Sequence, residues 1–390
     1  MAIITAYLED IMRSSRHCAY VLLLAMALGT VSASATDGPL IDVAADLEPI
    51  RQEYDFPALA TAVILDGELH ALGVAGVRKH GSDVPAQPSD PFHLGSCTKA
   101  MTASLVCLLV EESKLDWTAT LADYFPGFQD RMHSDYRGVT LVHLLSHRAG
   151  LPSMTAGFSP VTDSELRDIR TMPPRAQRYR VTEIVLSQAP LHQPGQEYLY
   201  SNAGYTIAGA IIEKVMDEPW ETLIQKRLFA PLQMTTMGFG PMGTRDQLDA
   251  PWQHAWREDR PMPINPGPTS DNPPFLAPGG RVHGSMADWA RYIGCVVKAC
   301  RQEEGLLPIS QYAGVQAPPF GGSYALGWQT CERSWGGHVL THSGTNTMNY
   351  AVAWVAPKEN FAVLVATNRG GPRAAEGLDK TCALMIDRFL

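Results

Sequence analysis

Ser96-Cys97-Thr98-Lys99 places a hydroxyl and an amine three residues apart. On a helix, positions i and i+3 share a face, so the Ser96 Oγ and the Lys99 Nζ can meet. The pairing has a chemical use: a serine hydroxyl is a poor nucleophile at its own pKa, and a neighbouring amine that accepts its proton activates it. Gly95 precedes the serine and helix-forming residues run on through Val110. Ser96 is therefore expected at a helix start, where unpaired backbone N–H groups favour developing negative charge. Ser-x-x-Lys is a common tetrapeptide, but Ser96 is the only serine of the chain with a lysine at that spacing.

Two further groupings fit the same chemistry. Tyr200-Ser201-Asn202 offers a tyrosine that, with a depressed pKa, could shuttle protons, and an amide to hold a substrate carbonyl. Read blandly, it is a helix cap after a core tyrosine. His342-Ser343-Gly344-Thr345 ends a predicted strand, where glycine lets a substrate backbone approach and the strand edge offers N–H groups to an oxyanion. Lys79-His80-Gly81 and His93-Leu94-Gly95 fit the same loose [Lys/His]-x-Gly pattern, and only chain order and strand context favour 342–344. A metal site is not indicated. His143 and His147 lie four apart, but Leu144 stands where a zinc-helix glutamate would, and no Cys-x-x-Cys occurs.

The elements that must hold these groups are legible in outline. A short amphipathic helix is expected over 41–55, then a hairpin of Ala58–Leu65 and Glu68–Val77 about an Asp66-Gly67 turn, then the helix bearing Ser96. From about residue 115 to 279 helical patterns and prolines dominate, including a helix at Leu141 stopped by Gly150 and Pro152, and helices at Tyr205–Val215 and Glu221–Leu228. Residues 258–278, dense in Pro, Asn and Gly, read as a long surface loop. Strands return at Tyr324–Gln329, Val339–His342, Tyr350–Val355 and Phe361–Thr367, closed by a helix from about Arg373 to Phe389. Strands at both ends around a helical block suggest an α/β domain split by a helical insertion: 36–114 with 280–390, interrupted by 115–279.

Composition bounds the function. With 390 residues, 45% hydrophobic and 18% charged, the chain can bury a large core. A net charge of −9 and the lack of a basic run argue against nucleic-acid binding. Arg13 and Arg16, the apolar run Ala19–Leu28 and Ala33-Ser34-Ala35 read as a signal peptide over 1–35, cleaved after Ala35, which implies a secreted or periplasmic protein. No segment is long enough for a comfortable membrane span. Of the cysteines left after cleavage, Cys97 and Cys107 read as small apolar helix residues, while Cys295, Cys300, Cys331 and Cys382 could form one or two bridges.

Together, in this order, the three groupings resemble the serine β-lactamase and penicillin-binding-protein superfamily, with its S-x-x-K, S-D-N and K-T-G signatures. The Tyr-x-Asn form is similar to the class C β-lactamase, D,D-carboxypeptidase and esterase branch of the peptidase family S12 type. Leu144–Pro152 is similar to that branch's LLTHTSGLP segment, Phe229–Met234 to F-x-P-L-G-M, and Pro278-Gly279-Gly280 with Asp288–Arg291 to P-A-G-G…D-x-A-R-F. The resemblance covers most of the chain and implies a β-lactamase-like fold: an antiparallel sheet flanked by helices, with an all-α insertion. It implies Ser96 as nucleophile, Lys99 as its base, Tyr200 as proton relay, the N–H groups of Ser96 and Thr345 as oxyanion hole, and Asn202, His342, Ser343 and Gly344 as substrate contacts. No cofactor or metal is implied. One departure matters: the family's K-T-G lysine is His342, only partly protonated near neutral pH. That favours an esterase, amidase or D-amino-acid peptidase over a β-lactamase or D-Ala-D-Ala carboxypeptidase, with a non-turnover penicillin sensor as a third reading. Trp335-Gly336-Gly337 could serve as an alternative third motif but reads better as a hairpin turn.

Overall fold

The apolar runs at the two ends of the chain meet in a single sheet. The computed structural model describes residues 39–155 and 160–390, so the proposed signal peptide lies outside the described residues. The strands, in chain order, are β1 (Ile41–Asp42), β2 (Ala58–Leu65), β3 (Glu68–Gly76), β4 (Phe92–His93), β5 (Gly238–Phe239), β6 (Gln253–Arg257), β7 (Arg260–Ile264), β8 (Val282–Gly284), β9 (Gln329–Arg333), β10 (Gly337–Thr345), β11 (Tyr350–Ala356) and β12 (Phe361–Thr367). The helices are α1 (Ala44–Glu53), α2 (Thr98–Glu111), α3 (Leu121–Tyr124), α4 (Leu141–Leu145), α5 (Asp163–Ile169), α6 (Pro174–Leu186), α7 (Asn202–Met216), α8 (Trp220–Ile224), α9 (Ala277–Gly280), α10 (Met286–Cys300), α11 (Ile309–Gln316) and α12 (Ala374–Phe389).

The main sheet runs β1-β3-β2-β12-β11-β10-β9, antiparallel except for the β1–β3 pair. Helices cover both faces, which is why β12 is buried throughout and reads as a continuous apolar run rather than an alternation. Successive side chains still point to opposite layers. Leu340, Ala353 and Leu364 join the core with α2 and α10, whereas Val339, Val363 and Val365 pack with α1 and α12. This is the mixed α/β, antiparallel, helix-flanked sheet that the sequence led us to expect. The chain between β3 and β9 supplies α2 to α11, and a small sheet of order β4-β8-β5 ties it to the strand before Ser96. Among the described residues no helix is long and apolar enough to cross a membrane.

Three local expectations are corrected. The stretch read as a loop at 258–278 contains β7, paired with β6. Pro261 and Pro263 fall on the same parity of β7, so the N–H groups they lack would face away from β6, and the ribbon survives them. The strand expected at Tyr324–Gln329 begins only at Gln329, because Gly327 takes a left-handed φ of +80° and turns the chain. Its missing side chain matters too, since a Cβ there would lie 2.9 Å from the Lys99 carbonyl oxygen. Finally, Cys295, Cys300, Cys331 and Cys382 are free. Cys295 and Cys300 share α10 on one side of the sheet, so the sheet separates them from Cys331 and Cys382, which pack on the other side.

Candidate active site

Ser96 sits in a 3-10 turn, Gly95–Cys97, that leads directly into α2. Gly95 adopts φ +51°, and a Cβ there would fall 2.4 Å from the Thr345 nitrogen. On the facing strand, a Cβ on Gly344 would fall 2.0 Å from the Leu94 oxygen and 2.5 Å from the Ser96 nitrogen. Two glycines thus let β10 press its backbone against the turn, bringing the Ser96 and Thr345 nitrogens to one place. The chain that approaches Gly344 is this protein's own backbone.

Lys99, the second residue of α2, is fully buried, and its Nζ touches three oxygens. It lies 2.7 Å from Asn202 Oδ1, 2.6 Å from the Gly279 carbonyl in α9 and 3.1 Å from Ser96 Oγ. A neutral amine has two N–H bonds and one lone pair. Asn202 and Gly279 are pure acceptors here and use both hydrogens, which leaves the lone pair directed at Ser96 Oγ. Burial lowers the Lys99 pKa to about 7, against a small opposing influence from Cys97. The neutral form is therefore well populated near neutrality, and the contact can take the serine proton.

Tyr200 stands opposite, its phenol donating to Ser96 Oγ at 2.7 Å. The flanking residues are clamped by His147: the Leu199 N–H bonds the His147 carbonyl at 3.0 Å, and the Ser201 N–H bonds His147 Nδ1 at 3.1 Å. Ser201 caps α7 through the Gly204 N–H, so the cap and the catalytic reading of Tyr-x-Asn coexist in one turn. The expected depressed pKa is not found. Burial pushes Tyr200 well up, with only the Ser96 bond opposing it, so the resting group is a phenol that donates a proton. Asn202 has Oδ1 committed to Lys99 and Nδ2 bonded to the Met154 carbonyl at 3.1 Å.

His342 differs most from expectation. It is buried, with Nδ1 donating to the Ser343 carbonyl at 2.7 Å and Nε2 accepting from the Tyr324 hydroxyl at 2.9 Å. Burial, with Lys99 nearby, lowers its pKa to about 3 against the help of Ser343. His342 is thus uncharged throughout the physiological range rather than partly protonated. Tyr324 went unnoticed in the sequence, where it looked like one aromatic residue in an apolar run. Gly279 stands out in the sequence only as part of a family-like segment, because a backbone carbonyl carries no side-chain signal. Trp335 packs on Trp354 and Phe361 in the β9–β10 turn, at the end of the hairpin opposite His342.

These groups border a cleft of about 360 Å³ lined by Ser96, Tyr198, Tyr200, Asn202, Tyr324, Gln329, His342, Ser343 and Thr345, with Thr155. None of them carries a carboxylate, an ammonium or a guanidinium. The cleft offers a nucleophile, a base, a phenolic donor and two backbone N–H groups, which is what acyl transfer requires.

The sequence profile of the family described as "Beta-lactamase" matches residues 43–383. Protein flp of Staphylococcus aureus is 23% identical over 329 residues, 83% of this chain and 61% of that protein, so the chain spans under two thirds of that relative's length. Penicillin-binding protein 4 of Amycolatopsis lactamdurans is 33% identical over 185 residues, 47% of this chain and 45% of that one. Among solved structures, the octameric penicillin-binding protein homologue from Pyrococcus abyssi superposes with a TM-score of 0.70 at 22% identity, covering 88% of this chain and 77% of its own. A D-stereospecific amidohydrolase from Streptomyces sp. gives 0.66 at 19% identity, covering 87% and 98%.

Proposed function

The chain belongs to the beta-lactamase family of serine hydrolases, and from that premise we propose that it cleaves uncharged acyl esters and amides, or D-amino-acid peptides, through an acyl-enzyme on Ser96. The observation that carries the mechanism is the Lys99 environment: Nζ lies 2.7 Å from Asn202 Oδ1, 2.6 Å from the Gly279 carbonyl and 3.1 Å from Ser96 Oγ, so in the neutral amine the two pure acceptors take both hydrogens and the lone pair is left to Ser96. In this reading Ser96 attacks the carbonyl carbon while Lys99 accepts its proton. The oxyanion is held by the Ser96 and Thr345 N–H groups, and Tyr200 delivers a proton to the leaving group. Water then hydrolyses the acyl-enzyme: its proton passes to the Tyr200 phenolate as its oxygen bonds the acyl carbon, and the released Ser96 oxygen takes back the proton held by Lys99.

The observation that carries the substrate class is His342. A site for penicillins or terminal D-alanine needs a fixed positive charge for a carboxylate. Here burial and the neighbouring Lys99 keep the corresponding residue neutral, Tyr324 and the Ser343 carbonyl occupy its two ring nitrogens, and among the described residues no cleft-lining side chain replaces the charge. We propose in addition that residues 1–35 are an export signal, a reading that rests on the sequence alone.

Intact-protein mass spectrometry on the wild type and Ser96→Ala, each exposed to a penicillin and to p-nitrophenyl butyrate, tests this. Ser96-dependent nitrophenol release without a lasting penicilloyl adduct is the expected result. A penicilloyl adduct that turns over as fast as the ester would point to a β-lactamase or carboxypeptidase, and one that persists would point to a sensor.

A further inference from the structure

A second buried polar network adjoins the nucleophile turn, and no step of the proposed reaction uses it. At its centre is Asp271, in the loop after β7, whose side chain is wholly withdrawn from solvent. Its Oδ2 accepts from His93 Nε2 at 3.0 Å and lies 3.4 Å from Arg281 Nε, while its Oδ1 accepts from Asn346 Nδ2 at 2.8 Å. Burial alone would raise this carboxyl, but His93, Arg281 and Asn346 together hold it down at about 2. The His93 ring is oriented by its other nitrogen, Nδ1, which accepts the Gly95 N–H at 3.1 Å. Nδ1 is therefore the acceptor and Nε2 carries the proton toward Asp271. On the other side, Asn346 is itself braced: its Nδ2 also reaches Gln253 Oε1 at 2.9 Å, and its Oδ1 accepts from the Met348 N–H at 3.2 Å and Asn349 Nδ2 at 3.1 Å.

The placement of the two arms is informative. Gly95 immediately precedes Ser96, and Asn346 immediately follows Thr345. One carboxylate thus grips both backbone segments that present the oxyanion donors, each one residue from the donor itself. Glycines at 95 and 344 allow those segments to touch but give the contact no side chain of their own. The Cys97 thiol, donating to the His342 carbonyl at 3.3 Å, is a weak tie between them, and the charge-assisted Asp271 network is a stronger one.

We propose that Asp271 is a positioning residue which, through His93 and Asn346, fixes the separation of the Ser96 and Thr345 N–H groups. The inference rests on the acyl-enzyme reading of Ser96. Oxyanion stabilisation depends on donors held at hydrogen-bond distance from where charge develops, so a displaced donor weakens the transition state more than the bound substrate.

The test compares full-length wild type with Asp271→Asn, using p-nitrophenyl butyrate and its thiono analogue, in which sulfur replaces the carbonyl oxygen and gains less from N–H donors. Loss of one oxyanion donor costs on the order of 10²–10³ in kcat, so a misplaced pair should cost about 30-fold or more with KM changed by less than about threefold. The preference for the oxo over the thiono ester should fall by about tenfold, since the thiono ester has less of that stabilisation to lose. A simple strut would lower both substrates together. Asn346→Ala, which leaves Asp271 paired with His93 and Arg281, should shift the preference in the same direction and serves where Asp271→Asn fails to fold. An unchanged oxo-to-thiono ratio in the folded variant overturns the proposal. Wild type that releases no more nitrophenol than Ser96→Ala would instead sink the acyl-enzyme reading, and this inference with it.

Discussion

Arg178 in α6 and Lys99 in α2 are both fully buried, and their surroundings could hardly differ more. Arg178 meets two carboxylates, with Nε 3.0 Å from Glu213 Oε1 and Nη2 2.6 Å from Glu221 Oε2, and it adds the Pro274 carbonyl at 3.1 Å. Burial works against its charge, but the two glutamates outweigh it and its pKa rises. Lys99 meets only neutral acceptors, and no ion pair to it is found among the described residues. With no carboxylate to offset desolvation, and only the Cys97 thiol opposing it, its pKa falls to about 7. The same burial thus yields a permanently charged tie between α6, α7 and α8 in one place and a titratable base in the other. What differs is the counter-charge, not the depth.

That contrast can be broken by mutation. Lys99→Met should lower single-turnover release of nitrophenol by about 10³-fold or more, the upper part of the range for losing a general base. Its melting temperature should hold or rise, because an uncompensated buried amine is removed. A variant that keeps near-normal turnover, or that melts far below wild type, would mean Lys99 is a structural cation after all. Arg178→Met should do the reverse. It leaves Glu213 buried and unpaired, so a loss of about 3–5 kcal/mol in denaturant unfolding is expected, with kcat of the folded fraction little changed. Undiminished stability would remove the distinction between the two sites.

How much of this was readable beforehand follows from the range of the interactions. The serine–lysine pair was legible because helical geometry alone brings i and i+3 together. The sheet was legible because its central strands are buried on both faces and announce themselves as apolar runs. What joined the motifs was not. The Tyr324–His342 bond spans 18 residues and the His93–Asp271 bond 178, and neither has a local pattern. The prolines of β7 looked like loop residues because only their parity against β6 shows that they are harmless. The protonation states were the least legible. Residue type alone suggests an acidic Tyr200 and a partly protonated His342, whereas burial, visible only in the folded chain, moves them in the directions that leave both neutral.

The sharpest use of the comparison is to make Lys99 resemble Arg178 with a single atom change. Asn202→Asp would put a carboxylate oxygen where the amide oxygen now lies, 2.7 Å from Nζ. An opposite charge within 4–6 Å shifts a pKa by about 1–3 units in favour of the charged form, so the lysine should move upward from about 7. The sign is fixed by the mechanism: only the neutral amine accepts the Ser96 proton, so wild-type acylation should rise with pH and level off above about 7. In Asn202→Asp the rising limb should move by about 1–3 pH units to the alkaline side, with the rate at pH 7 reduced by about 10- to 10³-fold and much of it regained at high pH. The other ionisable groups around Nζ do not blur this limb. His342 and His147 are held neutral by burial, Tyr200 and Cys97 are pushed up by it, and none titrates between pH 6 and 8. A rate that drops equally at every pH would mean that Asn202 holds substrate, not the base. A shifted limb would mean that neutrality at position 202 is what separates this buried cation from the other.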